Sequence, residues 1–333
     1  MHTTAEANPH APADEAALPK VDQALESLKG LRVYFDPIWG NNGDDLIRWG
    51  AERALQRHGL DLTRELSSAQ AIVVNGGGSL IDIRGPSRVP QDNLKRYAQA
   101  HADKPLVVLP SSVLFEDTDF GSFFAGRETP AWVFARERIS LEQMRRFEYP
   151  PAVQLGLDND MAFQLQDAPV VERLKRSARS KHLLIVERAD LERVSGEAIQ
   201  AMPGPNWLKQ AIPPALRMTA HRLRARLKPA QPTTEFAQQA LALLKADGLA
   251  GDADPIIYGD ISEPRVCSSE RFLRLIADAK AVVSTRLHVG ILAAMIGKPT
   301  IVVKGRYHKI LGIHDYSMAD WSHVRLWDPK ADS

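Results

Sequence analysis

Short apolar runs alternate with stretches of helical periodicity along most of the chain. The runs are too brief for helices and are bounded by polar residues, which predicts buried strands at 31–35, 71–75, 106–109, 131–135, 182–186, 255–258, 281–283 and 299–303. Apolar residues at helical spacing predict helices at 46–57, 234–246, 268–279 and over the stretch that ends at Gly297. This alternation in both halves of the chain predicts an α/β fold with two doubly wound parallel domains facing one another.

The same pattern sets the expected domain bounds. We expect an N-terminal domain over 21–165 and a C-terminal domain over 180–330. Residues 1–20 are rich in Ala, Pro and His, carry acidic residues and have no apolar core, so they are predicted to be a disordered lead-in and not a signal peptide.

A basic segment at 206–230 interrupts the alternation. It carries Lys and Arg without any acidic residue, and apolar residues are interleaved with them. A basic amphipathic stretch of this kind can make peripheral contact with an anionic membrane surface. A surface helix packed on its own protein, with its cations in water, is the reading that the sequence favours.

Charge and cysteine content narrow the class of protein. The formal net charge of +1 gives no reason to expect a nucleic-acid partner. The single cysteine, Cys267, excludes an internal disulfide framework and a cysteine-cluster metal site, and it suits a reducing cytoplasm. No His-Glu-x-x-His spacing occurs, and no apolar run approaches the ~18 residues that span a membrane. We therefore expect a cytoplasmic protein without a metal.

Chemistry-bearing residues follow the strand at 281–283. The strand ends and a helix begins at the carboxyl edge of the predicted sheet, and this junction contains Ser284, Thr285, Arg286 and His288. Ligands of open α/β sheets bind at this edge, and the amides of a helix start favour an anion. An arginine in a salt bridge and a capping histidine are the alternative reading.

Other strand ends carry small, polar or cationic residues as well. Glycines allow tight turns and close approach of a ligand or a neighbouring backbone. A capped turn without a ligand explains the first of these motifs equally well. The candidate substrate contacts at these ends are Asn41, Asn42, Gly43, Asp44, Gly76, Gly77, Gly78, Ser79, Ser111, Ser112 and Arg136.

Taken in order, these motifs resemble the polysaccharide pyruvyl transferase family over roughly 33–313. The resemblance is carried by Gly40-Asn-Asn-Gly-Asp-Asp-Leu-Ile, Asn75-Gly-Gly-Gly-Ser-Leu, Pro110-Ser-Ser, Ala135-Arg-Glu-Arg-Ile-Ser, Asp160-Met-Ala-Phe, Ser284-Thr-Arg-Leu-His with Gly297-Lys-Pro, and Lys309. Many relatives have a proline between the two aspartates near the domain junction, where this chain has Asn159. The basic segment is a second departure.

The resemblance implies a fold and a reaction. It implies two Rossmann-like domains in the arrangement called GT-B, facing across a cleft. It also implies transfer of the enolpyruvyl unit of phosphoenolpyruvate onto two hydroxyls of a sugar in exopolysaccharide or cell-surface glycan synthesis, which releases phosphate. The donor would be phosphoenolpyruvate without a further cofactor, and the acceptor a glycan, with lipid linkage suggested by the basic segment.

The chemistry of that reaction assigns roles to the candidates. A compact anion needs cations and amide donors, so Arg286, Arg136 and Lys309 are expected to bind it and to converge. His288 is the expected general acid/base because histidine titrates near neutrality. The glycine turns would shape the acceptor side, on the N-terminal domain. A nucleotide-sugar glycosyltransferase and a non-catalytic carbohydrate-binding relative remain the alternatives.

Overall fold

A computed structural model describes residues 15–82, 89–188, 234–265, 267–305, 307–329 and 331. The chain divides into two compact units. Unit 1 comprises Met1–Ile38 and Gly50–Met161, and unit 2 comprises Trp39–Trp49 and Ala162–Ser333. Each unit contains one sheet in which all strand pairs run parallel. The predicted α/β class with parallel sheets is therefore confirmed.

Unit 1 is built on a seven-stranded sheet. Its strands are β1 (Arg32–Asp36), β2 (Asp61–Thr63), β3 (Ala71–Val74), β4 (Gly77–Ile81), β5 (Leu106–Leu114), β6 (Ala131–Ala135) and β7 (Val153–Leu157). They lie in the order β2-β1-β3-β5-β6-β7, with β4 beside β5. The α-helices between Val21 and Leu157 are α1 (Val21–Glu26), α2 (Asn42–Arg57), α3 (Val89–Ala100) and α4 (Arg138–Met144). Short 3-10 helices lie at Glu15–Ala17, Leu66–Ser68, Gly121–Phe124 and Met161–Leu165. By the division above, α2 begins in unit 2 and ends in unit 1.

Unit 2 is built on a five-stranded sheet in the order β12-β11-β10-β8-β9. Its strands are β8 (His182–Val186), β9 (Ile256–Tyr258), β10 (Ala279–Ser284), β11 (Thr300–Val303) and β12 (Val324–Trp327). The helices are α5 (Pro169–Ser177), α6 (Glu235–Ala246), α7 (Ser269–Ala277), α8 (Leu287–Met295) and α9 (Lys309–Ile313), which continues into a π-helical turn at His314–Met318.

Both faces of the unit 2 sheet are covered. Leu184 and Val282 point into a core that also contains Phe272 of α7, whereas Leu183 and Val283 point into a second core with Phe236 of α6. Successive side chains of a strand alternate between faces, so a sheet covered on both sides needs continuous apolar strands. This is why β8 is continuously apolar from Leu183 to Val186 and β10 from Ala281 to Val283.

Helix ends follow the predicted chemistry. The side chain of Thr234 caps α6 by accepting from the amide of Ala237, and Ser268 caps α7 by accepting from the amide of Arg271. Gly297, just beyond α8, adopts φ +77°. Glycine adopts this left-handed conformation at little steric cost because it has no Cβ atom. The predicted starts of α6 and α7 and the stop after α8 are therefore confirmed.

The last six residues of the predicted lead-in contact unit 1. Residues 15–20 are ordered because Glu15, 8% exposed, forms a bidentate ion pair with Arg138, at 2.6 and 3.1 Å. The ammonium of Lys20 also donates to the carbonyl of Leu157 over 2.8 Å. The prediction of disorder was wrong for these residues, whereas 1–14 lie outside the described residues. The basic segment at 206–230 lies outside them too.

Two of the three consecutive glycines belong to a strand. Gly77 and Gly78 open β4, which pairs with β5. A Cβ on Gly76 would lie 2.2 Å from the carbonyl oxygen of Pro110, and Gly77 adopts φ +140°. At Gly76 the close approach is thus that of a neighbouring backbone. Ser79 lies in the same strand as Gly77 and Gly78, and its carbonyl accepts from the side-chain amide of Gln91. The predicted substrate contacts of the glycines and of Ser79 stay predictions.

We expect Gly76→Ala to destabilise the protein because its methyl group would overlap a backbone carbonyl that cannot rotate away. Overpacking of this kind costs about 1–3 kcal/mol. Urea unfolding measures it as a fall of the midpoint. Gly78→Ala is the control, since Gly78 is exposed in the same strand. An equal midpoint for both variants would contradict the contact with Pro110.

Candidate functional site in unit 2

Helix α8 is buried along its whole length with one exception. Every residue from Leu287 to Met295 is buried apart from His288, which is partly exposed. Gly290 lets the helix lie directly on the sheet, since a Cβ there would be 2.5 Å from a methyl carbon of Val302. A helix that is apolar all round belongs to a core. The one polar side chain at its N-terminus therefore faces the edge of the sheet.

Ser284 and Thr285 hold the backbone of the strand end. The hydroxyl of Ser284 accepts from the amide of Arg286 over 3.0 Å and donates to the carbonyl of the same residue over 2.9 Å. The hydroxyl of Thr285 accepts from the amide of Arg188 and donates to the carbonyl of Val186. Both side chains are buried. These hydrogen bonds show that both hydroxyls hold the backbone on either side of the strand end in place. The predicted contacts of Ser284 and Thr285 with a substrate stay predictions.

Arg286 is held by an acidic partner that the sequence did not signal. Its Nε lies 3.2 Å from both carboxylate oxygens of Asp260, and its Nη2 lies 2.5 Å from Oδ2. Their side chains are 14% and 8% exposed respectively. A guanidinium clamped on one edge by a carboxylate has a fixed orientation. The salt-bridge alternative is thus correct for one edge of Arg286.

The turn before α2 is a reciprocal cap. The side chain of Asn41 accepts from the amide of Gly43, and that of Asp44 accepts from the amide of Asn41, both over 2.7 Å. This arrangement satisfies two of the unpaired donors at a helix start. Gly40 is needed because a Cβ there would be 1.9 Å from the carboxylate of Asp44. The capped-turn reading accounts for the side chains of Asn41 and Asp44.

The same turn lies against His288. A Cβ on Gly43 would be 3.0 Å from Cβ of His288 and 3.1 Å from its Nδ1. The N-terminal turns of α2 and α8 therefore meet at the imidazole, within unit 2. Since helix N-termini carry partial positive charge, both raise the local potential for an anion. The sequence placed this turn in the N-terminal domain, on the acceptor side, but the structure groups it with Arg286 and His288.

Asn42 anchors the turn to the loop that carries Asp260. It is 1% exposed, its Nδ2 donates to the carbonyls of Ile261 and Cys267, and its amide donates to the carbonyl of Ser262. One buried side chain thus ties the turn at His288 to the loop that orients Arg286. Asn42 is a positioning residue by these contacts.

Cys267 and Lys309 are two further residues of unit 2, and the predicted convergence of Lys309 with Arg286 stays a prediction. Burial raises the pKa of the Cys267 thiol, which keeps it protonated and weakens it as a nucleophile. Lys309 begins α9, which follows β11 at the same edge of the sheet, and its ammonium lies 6.0 Å from the ring centre of Tyr307. No cluster of three or more potential metal ligands occurs in the described part of the chain.

Arg136, in unit 1, is engaged by its own unit. It is 1% exposed, its Nη1 lies 2.7 Å from Oδ2 of Asp160, and its Nε donates to the hydroxyl of Ser112 over 2.9 Å. Its amide donates to the carbonyl of Ser111, whose own hydroxyl donates to the carbonyl of Leu109. These strand-end residues form one buried network. Their convergence with the unit 2 cations stays a prediction.

Two residues of the site escaped the sequence analysis. Asp260 lies two residues beyond the end of β9, directly after Gly259. An aspartate at a strand end could have indicated a partner for a nearby arginine. Trp39 precedes the capped turn, is 75% exposed, and packs on the guanidinium of Arg48. Neither Asp260 nor Trp39 belongs to one of the sequence motifs that indicated the candidate site residues.

Comparisons with known proteins agree on one family. Residues 41–305 match the family model described as polysaccharide pyruvyl transferase. The chain is 24% identical over 295 residues to a Bacillus subtilis protein named "Putative pyruvyl transferase EpsO", covering 83% of this chain and 82% of the relative. It is 22% identical over 325 residues to general stress protein 30 of B. subtilis, covering 89% and 79% respectively.

A solved structure shares the fold. The crystal structure of an uncharacterised protein from Klebsiella pneumoniae, KP1_0663, superposes with a TM-score of 0.56 at 18% identity, covering 92% of this chain and 96% of that one. No helix in the described ranges is both long enough and apolar enough to span a membrane.

We expect Asp160→Asn to destabilise the protein strongly because it would leave the buried guanidinium of Arg136 without a counter-charge. Breaking a buried ion pair from one side costs about 3–5 kcal/mol. The control is Asp61→Asn, which removes an exposed carboxylate 3.5 Å from Arg32 and should cost less than about 1 kcal/mol. Urea midpoints measure both. Equal midpoints would show that Arg136 does not depend on Asp160.

Proposed function

Because the chain belongs to the polysaccharide pyruvyl transferase family, we propose that it transfers the enolpyruvyl unit of phosphoenolpyruvate to two hydroxyls of a glycan. The product is a pyruvate ketal, and phosphate is released. The observation that carries the proposal is the meeting of two helix N-termini at His288, two residues after the clamped Arg286. The GT-B arrangement of the two units is part of the proposal.

The balance of the reaction defines what the site must do. One sugar hydroxyl adds to C2 of the enolpyruvyl group while its methylene carbon gains a proton and becomes a methyl group. The second hydroxyl forms another bond to C2 as the C2–O bond to phosphate breaks, and the departing phosphate carries the remaining proton equivalent. No electrons are exchanged with an outside carrier. The site therefore needs anion binding and proton transfer only.

Unit 2 supplies groups suited to both tasks. The guanidinium of Arg286, the ammonium of Lys309 and the amides at the start of α8 are donors suited to carboxylate and phosphate. The clamp by Asp260 fixes the guanidinium before the substrate arrives, and preorganised donors stabilise developing charge most effectively. His288 is the general acid/base of the proposal because it is the one partly exposed residue of a buried helix.

The acceptor is the less defined part of the proposal. A glycan is the acceptor class that the family suggests. Lipid linkage and a position at the inner face of the membrane rest on the composition of 206–230, which lie outside the described residues. They remain expectations from the sequence.

We expect His288→Ala and Arg286→Ala to abolish phosphate release from phosphoenolpyruvate in the presence of acceptor. Loss of a general acid/base lowers the rate about 10²–10⁴-fold, and loss of a preorganised charge donor about 10²–10³-fold. A coupled phosphate assay with a panel of free and lipid-linked glycans measures it. The control is Arg274→Ala, which removes an exposed arginine of α7 paired with Glu270.

Three outcomes would contradict this assignment. Normal turnover in either variant removes the substituted residue from its proposed catalytic role and contradicts the site assignment. Thermal stabilisation of the wild type by nucleotide sugars but not by phosphoenolpyruvate would indicate a glycosyltransferase, since one fold serves several chemistries. Saturable binding of an oligosaccharide without any phosphate release would indicate a non-catalytic relative.

We expect Gly43→Ala to lower kcat roughly 10- to 100-fold while KM for phosphoenolpyruvate changes little, because the methyl group displaces the imidazole by tenths of an ångström and leaves Arg286 in place. Steady-state kinetics separate the two parameters. The control is Gly251→Ala, whose Cβ would meet only a carboxylate oxygen of Asp254, at 3.6 Å. A changed KM with normal kcat would show that this contact serves binding and not proton transfer.

A further inference from the structure

Trp39 is an exposed aromatic residue beside the candidate site. Its exposed fraction is 75%, and the other exposed large apolar side chains among the described residues, Leu62 and Val89, belong to unit 1. A single apolar side chain in water needs no explanation by itself. The way the ring is held and its place in the chain distinguish Trp39.

One face of the indole is supported. The guanidinium carbon of Arg48 lies 4.8 Å from the ring centre, and Nη2 of Arg48 is bound to Oδ1 of Asp45 over 2.9 Å. The side chain of Arg48 is 15% exposed, so this cation is part of the packed structure. A cation over one ring face is attracted by the negative charge of the π-system. The exposed fraction of Trp39 leaves its opposite face available to a ligand.

The backbone before Trp39 is strained. Ile38 adopts φ +41°, which is a genuine outlier for a β-branched residue. The carboxylate of Asp36 accepts from the amide of Ile38 over 3.3 Å, and the hydroxyl of Tyr97 holds that carboxylate over 2.9 Å. Strain of this kind persists where the surroundings over-determine it, and it concentrates at binding sites. The strained turn and the cation together fix how the indole is presented.

The position of Trp39 relates it to His288. It precedes Gly43 by four positions, and a Cβ on Gly43 would lie against the imidazole of His288. Four extended residues span at most ~14 Å. The Cα atoms of Trp39 and Gly43 are therefore at most ~14 Å apart. A short oligosaccharide could span the distance from the indole to the proposed general acid/base.

We propose that Trp39 is a stacking platform for a pyranose ring of the acceptor glycan, next to the sugar that receives the enolpyruvyl unit. This inference rests on the proposed function. A pyranose presents a flat face of C–H groups, and an aromatic ring offers a broad apolar face whose negative charge attracts them. Supported from behind by Arg48, the indole presents such a face to solvent without further ordering of its side chain.

Binding of simple glycosides tests the platform without turnover. The probes are methyl β-D-glucopyranoside, methyl β-D-galactopyranoside, cellobiose and lactose, with sorbitol as a polyol that has no ring. Saturation-transfer NMR follows binding to the wild type and to Trp39→Phe, Trp39→Leu and Trp39→Ala. We expect at least one glycoside to bind the wild type, and its affinity to fall roughly 5- to 10-fold in the Ala variant and less in the Phe variant. Sorbitol should not compete.

Trp39→Leu separates stacking from apolar contact, since it keeps apolar area without a ring and should behave like the Ala variant. Leu62→Ala is the matched control for an exposed apolar residue and should leave the affinity unchanged. In the phosphate assay with an oligosaccharide acceptor, KM for the glycan should rise in Trp39→Ala while KM for phosphoenolpyruvate stays constant.

The outcomes of this inference and of the proposed function are distinguishable. Glycoside binding that depends on Trp39, in a protein that releases no phosphate from phosphoenolpyruvate, would support the platform and overturn the reaction. Equal affinity in the wild type and in Trp39→Ala would overturn the platform whatever the turnover. So would the failure of all four glycosides to bind the wild type, or full affinity in Trp39→Leu.

Discussion

The contact between Gly43 and His288 is the constraint on which the candidate site depends. It brings the first turn of α2 against the first turn of α8, and it tolerates no side chain larger than hydrogen without displacement of the imidazole. The buried amide of Asn42 extends this constraint to the loop that carries Asp260, and Asp260 in turn fixes Arg286. The orientations of the histidine and the arginine therefore have a common structural origin.

The ion pair has an electrostatic consequence. A carboxylate at 2.5 Å cancels much of the charge that Arg286 would offer to a distant anion, so its value to a ligand lies in a fixed direction of donors more than in net charge. In the proposed reaction, attraction of the highly charged substrate would then depend also on Lys309 and on the two helix N-termini. Such a site would bind by preorganisation, which is what stabilisation of a transition state requires.

The sequence predicted the parts of the fold that local chemistry determines. The strands at 182–186 and 281–283 and the helix stop at Gly297 follow from apolar runs and a left-handed glycine. By contrast, β4 begins with glycines that indicate a loop, and its pairing with β5 is a tertiary contact that no local pattern encodes. Asp260 escaped notice for the same reason, because its partner lies 26 residues further along the chain. Arg286 and His288 were found because strand, motif and helix start coincide there.

Polar residues at strand ends are therefore weak evidence for a ligand until their partners are known. Arg136 and Arg286 both follow strands, and both bind an aspartate, but Arg136 is 1% exposed with its second partner in Ser112, whereas the side chain of Arg286 is 14% exposed. The first cation compensates a charge inside its own unit, whereas the side chain of the second is partly exposed two residues before His288. Exposure after internal pairing, and not residue type, distinguishes a group that stabilises the fold from one that can also meet a substrate. By this criterion, Arg286 of unit 2 is a better candidate than Arg136 of unit 1 for binding the phosphoenolpyruvate of the proposed reaction.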